Sequence, residues 1–235
     1  MTTPTTDAPM TRDEFIATLK KQGERYYHKH PFHGDMNAGK LSKKQIQVWV
    51  ANRFYYQKSI PLKDAAILSN CPEISVRRVW IQRILDHDGT AAGQGGIEDW
   101  LKLADAVGLS REAVLDERHL VPGVRFSVDA YVNFARTRPW IEAVAASLTE
   151  LFAPDLMRER IEAFEQRYDW IDNAKLVYLR NRLVQGPRDA SQALDIVAQY
   201  CHSREQQERA IAALVFKCDV LYSMLDAIAH AVEEN

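Results

Sequence analysis

Apolar residues recur along most of the chain at three- and four-residue intervals, the period of a helix with one buried face. Thr11 and Glu14 form a T-x-x-E capping box. Behind it Phe15, Leu19 and Tyr26 fall at near-helical spacing, to about Tyr27. Ser42 and Gln45 repeat the signature as S-x-x-Q ahead of IQVWVANRFYYQ. Pro61 is expected to interrupt that run, with a separate helix over 62–69. Val76, Val79, Trp80, Ile84 and Leu85 share a face that ends at Asp88-Gly89, and Gly95-Gly96 lead into IEDWLKLADAV, which Gly108 stops. Ser127 reads as the cap of YVNFART and Pro139 as the start of WIEAVAASLTELF. Further helices are predicted over 155–167, 173–185 and 189–201, the last two parted by Gly186-Pro187. Ser203 and Gln206 cap a long last helix through IAALVFKCDVLYSMLDAIAHAV. Alternating strand patterns are almost absent, and no Asn-Gly or Asp-Gly turn joins two of them. The pattern therefore predicts an all-α chain: a disordered tail over 1–10, then a single helical bundle over 11–235.

Composition changes this picture little, but it removes function classes. A chain of 235 residues can build a core unaided. Its 30 Lys and Arg against 32 Asp and Glu argue against a dedicated nucleic-acid binder, which needs a cationic excess. Three distant cysteines, Cys71, Cys201 and Cys218, suit reduced thiols rather than a disulfide framework or a four-thiolate zinc site. The polar N-terminus carries no signal-peptide core and no apolar run reaches bilayer length, so a soluble cytoplasmic protein without membrane contact is expected.

Familiar catalytic signatures are missing: no G-x-G-x-x-G, no P-loop, no G-x-S-x-G, no H-E-x-x-H, and no Glu three residues before any histidine. His28, His30 and His33 cluster in H-K-H-P-F-H, but Pro31 breaks the helix between them, and a polar helix end is favoured over a metal site. More informative are polar residues inside apolar helices. Trp49, Arg53 and Gln57 stand at i, i+4 and i+8; Trp80, Arg83, Ile84 and His87 share another stripe; Tyr178 and Arg182 repeat the spacing; Lys217 lies within ALVFKCDVL. Any one cation can reach solvent or meet a carboxylate. Several pointing into one bundle invite an anionic ligand, because a desolvated cation is costly without a partner. The residues alone thus suggest a polyanionic small molecule held between helices.

At these same residues the chain closely resembles the pyrroloquinoline-quinone synthases, over QIQVWVANRFYYQ (45–57), IPLKDAAI (60–67), WIQRILDHDG (80–89), PGVRFSVDAYVNFAR (122–136) and ASLTELFAP (146–154). The resemblance runs from Thr11 to Ala231 and is strongest over 45–154. It implies a heme-oxygenase-like bundle of about seven helices working as a homodimer, without metal or organic cofactor. The implied reaction closes the second ring of a bicyclic quinone precursor and removes eight electrons to dioxygen, releasing hydrogen peroxide. It implies a substrate site of Tyr27, Arg53, Gln57, Arg83, Tyr131, Arg160 and Lys217, with His87, Tyr178, Arg182 and His28 as the catalytic set. His87 would move protons, while Tyr178 and Arg182 would lie beside dioxygen. Met157 stands where some relatives have histidine, and NAKLV at 173–177 departs from the usual segment. The alternatives are a quinone carrier that does no chemistry, a metal-dependent oxidase and a thiaminase-type hydrolase. Passage of product to another protein is compatible with any quinone-binding reading.

Overall fold

The computed structural model describes residues 8–233, so most of the expected tail lies outside the described residues. The part that is described is tied down: the Met10 amide donates to Gln207 Oε1 at 2.8 Å, and its carbonyl accepts from Gln207 Nε2 at 3.0 Å.

Eleven α-helices follow among the described residues, against the roughly seven expected, and no strand is present. They are α1 (Arg12–Lys21), α2 (Pro31–Asn37), α3 (Lys43–Asn70), α4 (Ile74–Asp88), α5 (Gly96–Ala106), α6 (Arg111–Leu115), α7 (Pro122–Thr137), α8 (Trp140–Ala146), α9 (Ala153–Arg167), α10 (Val177–Tyr200) and α11 (Arg204–Glu233). Tight 3₁₀ turns over 22–25, 27–29, 147–152 and 173–175 fill several junctions. The helix starts of α1 and α3 use the reciprocal caps expected at Thr11/Glu14 and Ser42/Gln45. Ser203 and Gln206 do the same at the head of α11. Each such cap stabilises its helix by about 1 kcal/mol.

Two prolines expected to end helices do not. The α3 helix runs unbroken through Pro61, and α10 runs unbroken through Gly186-Pro187. A proline removes one backbone donor and costs about 3 kcal/mol in an isolated helix. Here both helices are buried along much of their length, and packing outweighs the local penalty. Ser127 is likewise not a cap. The α7 helix starts five residues earlier at Pro122, whose missing N–H costs nothing at a first-turn position, and Ser127 Oγ donates to the Gly123 carbonyl at 2.8 Å. The segment after Pro139 is α8 followed by the 147–152 turn rather than one helix, α9 begins at Ala153, and α10 begins at Val177 rather than 173.

Two apolar clusters make the core. One gathers Trp49, Trp100, Phe164, Leu179 and Ile228, and the other Phe15, Trp80, Val144, Val197 and Leu214. Tyr56 and Phe152 pack against both. The polar side chains picked out from sequence lie among these layers.

Candidate active site

A small cavity of about 60 Å³ draws its walls from α3, α4, α9, α10, α11 and the 26–27 and 149–150 turns. Tyr26, Tyr27, Arg53, Tyr56, His87 and Arg182 line it, together with Glu150, Met157, Tyr178 and Gly186. Helical spacing sets these positions. On α10, Tyr178, Arg182, Gly186 and Asp189 share one stripe, and on α4, Arg83 and His87 are one turn apart.

One side of the site is internally neutralised. Arg83 Nη1 donates to Glu150 Oε2 at 2.8 Å, and Arg182 Nη2 donates to Glu150 Oε1 at 3.2 Å. Arg182 Nη1 also reaches Asp189 Oδ2 at 3.4 Å, and Arg83 Nη2 bonds the Asp189 carbonyl. Arg188 joins Asp189 to Asp86, the neighbour of His87. Burial works against the Glu150 charge, but Arg83, Arg182 and Lys63 outweigh it and hold the carboxyl below its ordinary range. Burial also opposes the Arg182 charge, which Glu150, Tyr178 and Asp189 together more than restore.

Deeper still, Lys63 Nζ donates to Asp64 Oδ1 at 2.5 Å and to Ser147 Oγ at 3.2 Å, while Trp80 Nε1 donates to Asp64 Oδ1 at 2.9 Å. Trp80 in turn carries the Arg83 guanidinium on its ring face, 4.0 Å from the centroid. Both members of the Lys63–Asp64 pair are buried. Lys63→Met is therefore expected to strand the carboxylate and lose about 3–5 kcal/mol. By calorimetry the Tm should fall by roughly 10 °C, and Lys63→Met with Asp64→Asn should recover most of it.

The opposite side is not neutralised. Arg53, Arg160 and Lys217 are all buried, and among the described residues none of the three has a carboxylate within 4.0 Å. Arg53 lies over the rings of Tyr56 (4.3 Å) and Tyr27 (5.6 Å), with the sulfur of Met224 as its contact at 3.8 Å. Lys217 Nζ makes no hydrogen bond and sits 3.6 Å and 4.1 Å from the ring centroids of Tyr131 and Tyr56. Burial, reinforced by Arg53 and Lys63, drives the Lys217 ammonium well below its ordinary pKa. Arg160 rests on Trp49 and donates to His33 Nε2 at 2.9 Å, leaving its own Nε without a partner. Cation–π contacts soften such burial, each by up to about 2 kcal/mol, without supplying a counter-charge.

His87 lines the cavity beside the neutralised group. Its Nδ1 lies 3.2 Å from the Arg83 carbonyl, which can only accept, so Nδ1 carries the proton and Nε2 is left bare. No protein group reaches that buried Nε2. Burial first, and the Arg182 charge second, push the His87 pKa down to about 4. Asp86, the residue before it, is engaged by Arg188. Tyr178 donates from its hydroxyl to Gln57 Oε1 at 2.7 Å, packs edge-on to Trp100, and keeps its proton because burial raises its pKa.

Of the residues expected from sequence, Tyr27, Arg53, His87, Tyr178 and Arg182 line the cavity directly. Gln57, Arg83, Tyr131, Arg160 and Lys217 form a buried layer that holds or backs them. His28 is placed otherwise: it is exposed and stacks on Tyr26, outside the cavity. The 3₁₀ turn at 27–29 sends consecutive side chains in different directions, so Tyr27 turns inward and His28 outward. Sequence reasoning did not anticipate Glu150, Tyr56, Tyr26 or Asp189. Among the described residues no three His, Cys, Asp or Glu side chains converge as a metal-binding set.

The arrangement of helices around this cavity is that of the heme-oxygenase-like all-α proteins. A domain of unknown function with that fold from Shewanella denitrificans superposes with a TM-score of 0.79 at 12% identity, covering 95% of this chain and 94% of that one. A TenA homolog from Pseudomonas syringae pv. tomato gives 0.74 at 16% identity, over 97% and 98% of the two chains. Residues 16–227 match the model of the TENA/THI-4/PQQC family, and the chain belongs to that family. Among its relatives, a pyrroloquinoline-quinone synthase of Pseudomonas aeruginosa is 56% identical over 96% of this chain and 90% of its own length. A protein of the same name from Cronobacter sakazakii is 53% identical over 94% and 88%. No described helix is long and apolar enough to cross a membrane.

Proposed function

We propose that this chain is a pyrroloquinoline-quinone synthase: an oxidase that converts a bicyclic, polycarboxylate precursor into the quinone with dioxygen as the electron acceptor and no metal. The observation that carries this reading is the charge imbalance of the site, three buried cations without acids beside a histidine with a bare nitrogen. A polycarboxylate supplies the missing counter-charge, and the identity with the named synthases agrees with it.

The chemistry follows from the residues present. Arg53 meets the carboxylates at the cavity wall, and Arg160 and Lys217 in the layer behind it add positive charge; a bound carboxylate also favours the Lys217 proton that burial disfavours. His87 is neutral at pH 7, so its Nε2 can take a proton from the precursor and give it up later. Deprotonation makes the ring system electron-rich, and electrons then pass from it to dioxygen. Arg182, charged and fixed by Glu150 and Asp189, favours negative charge on the reduced oxygen. Tyr178 keeps its hydroxyl proton available in the same region.

Incubating the chain with the precursor under air, and separately under nitrogen, tests the reading. Quinone and hydrogen peroxide formed only under air are expected. Binding of the quinone without turnover would make the chain a carrier, and cleavage of a thiamin-type substrate would make it a hydrolase.

A further inference from the structure

The cluster H-K-H-P-F-H is not explained by the site as expected from sequence. Its two inner histidines each have two defined partners. His30 caps α2, with Nδ1 accepting from the Phe32 amide at 3.1 Å and Nε2 meeting Asp226 at 2.9 Å. His33 lies behind the cavity wall, against Arg160. Its Nδ1 lies 3.1 Å from the Tyr27 carbonyl and its Nε2 lies 2.9 Å from Arg160 Nη2, with His33 and Arg160 both essentially inaccessible. A carbonyl only accepts and a guanidinium only donates, so both bonds are satisfied by one form alone, the neutral ring with hydrogen on Nδ1.

We propose that His33 is a positioning residue for anion binding: its ring, anchored through the Tyr27 carbonyl, fixes the Arg160 guanidinium without cancelling its charge. An acid at this place would orient Arg160 equally well but neutralise it, as Glu150 does for Arg83 and Arg182. A neutral acceptor orients and leaves the charge for the ligand. The groups around the ring reinforce this form. Burial disfavours a charged imidazole most, and Arg160, Arg53 and His30 add to that, against the Tyr27 carbonyl alone.

The inference deepens the proposed function, since the anion is the carboxylate-rich quinone or its precursor. Titration with pyrroloquinoline quinone, in a double-mutant cycle, tests it. His33→Leu should weaken binding about tenfold or more with kcat at saturation little changed, whereas His33→Gln, which keeps an acceptor and a donor, should stay within about threefold. In an Arg160→Met background His33→Leu should cost nothing further. An equal loss in both backgrounds, or no loss in either, overturns the positioning role. The ¹⁵N spectrum of the wild-type ring decides the matter even if the quinone does not bind and the functional reading fails. A neutral Nδ1–H ring that resists protonation well below the range of a free imidazole supports the inference, and a ring titrating in that ordinary range overturns it.

Discussion

His87→Asn is expected to slow turnover by roughly 10²–10⁴-fold while weakening quinone binding by less than about fivefold. Asparagine keeps a polar group near the Arg83 carbonyl but cannot exchange a proton near pH 7. The wild-type ring is already the free base at neutral pH, because burial and Arg182 hold its pKa at about 4. Activity limited by this base should therefore persist as pH falls through 6 and be lost only toward 4. The same group predicts a stability effect of definite sign. Between pH 4 and about 6.5 the unfolded ring is protonated and the folded one is not, so the unfolded chain binds more protons. Stability from this source is complete above 6.5 and falls as pH drops to 4, by about 3 kcal/mol in all. Denaturation of the Asn variant should lack that component. A variant that turns over at the wild-type rate would make His87 structural and pass proton transfer to Tyr178.

Lys217→Met should move affinity and stability in opposite directions. The amine is buried, unbonded and unopposed by any acid, and burial disfavours its charged form, so the ligand-free fold carries an uncompensated cost. Methionine fills similar space without charge, and the Tm of the ligand-free chain should rise by a few degrees, about 2–4 °C per kcal/mol gained. Quinone affinity should fall at least thirtyfold, a loss of about 2 kcal/mol or more for one partner of a buried ion pair. Arg83→Met is the contrast. It leaves the Glu150 carboxylate short of a cation and the Asp189 carbonyl without its donor, so it should destabilise the ligand-free chain. A fall in Tm for Lys217→Met, with affinity unchanged, would mean that the cation serves the fold rather than a ligand. Calorimetry and a quinone titration on the same samples read both quantities.

These contrasts also show what a sequence reveals. Caps at Thr11, Ser42 and Ser203 are written in residues three apart, and each forms as expected. Arg53 with Gln57, Arg83 with His87 and Tyr178 with Arg182 were legible for the same reason, since helical spacing alone puts each pair on one face. Pro61 and Pro187 misled because the local rule for proline is outweighed by burial, which depends on segments far away in the chain. Glu150 was invisible because it meets Arg83 across 67 residues and Arg182 across 32, and no spacing rule links them. Which cations would be neutralised and which left bare thus emerged only from the fold. His28 and His33 were separated by the same circumstance: the turn at 27–29 and the start of α2 at Pro31 aim one outward and the other at Arg160.

The central claim is that this chain's own side chains suffice for the oxidation. The measurement that bears on it most directly is a single turnover of precursor under air by protein stripped with chelator, with iron and copper quantified in the same sample. The account predicts stoichiometric quinone at an unchanged rate when metal is far below one atom per chain. A rate that falls in proportion to the metal removed, and returns when iron or copper is added, would contradict it.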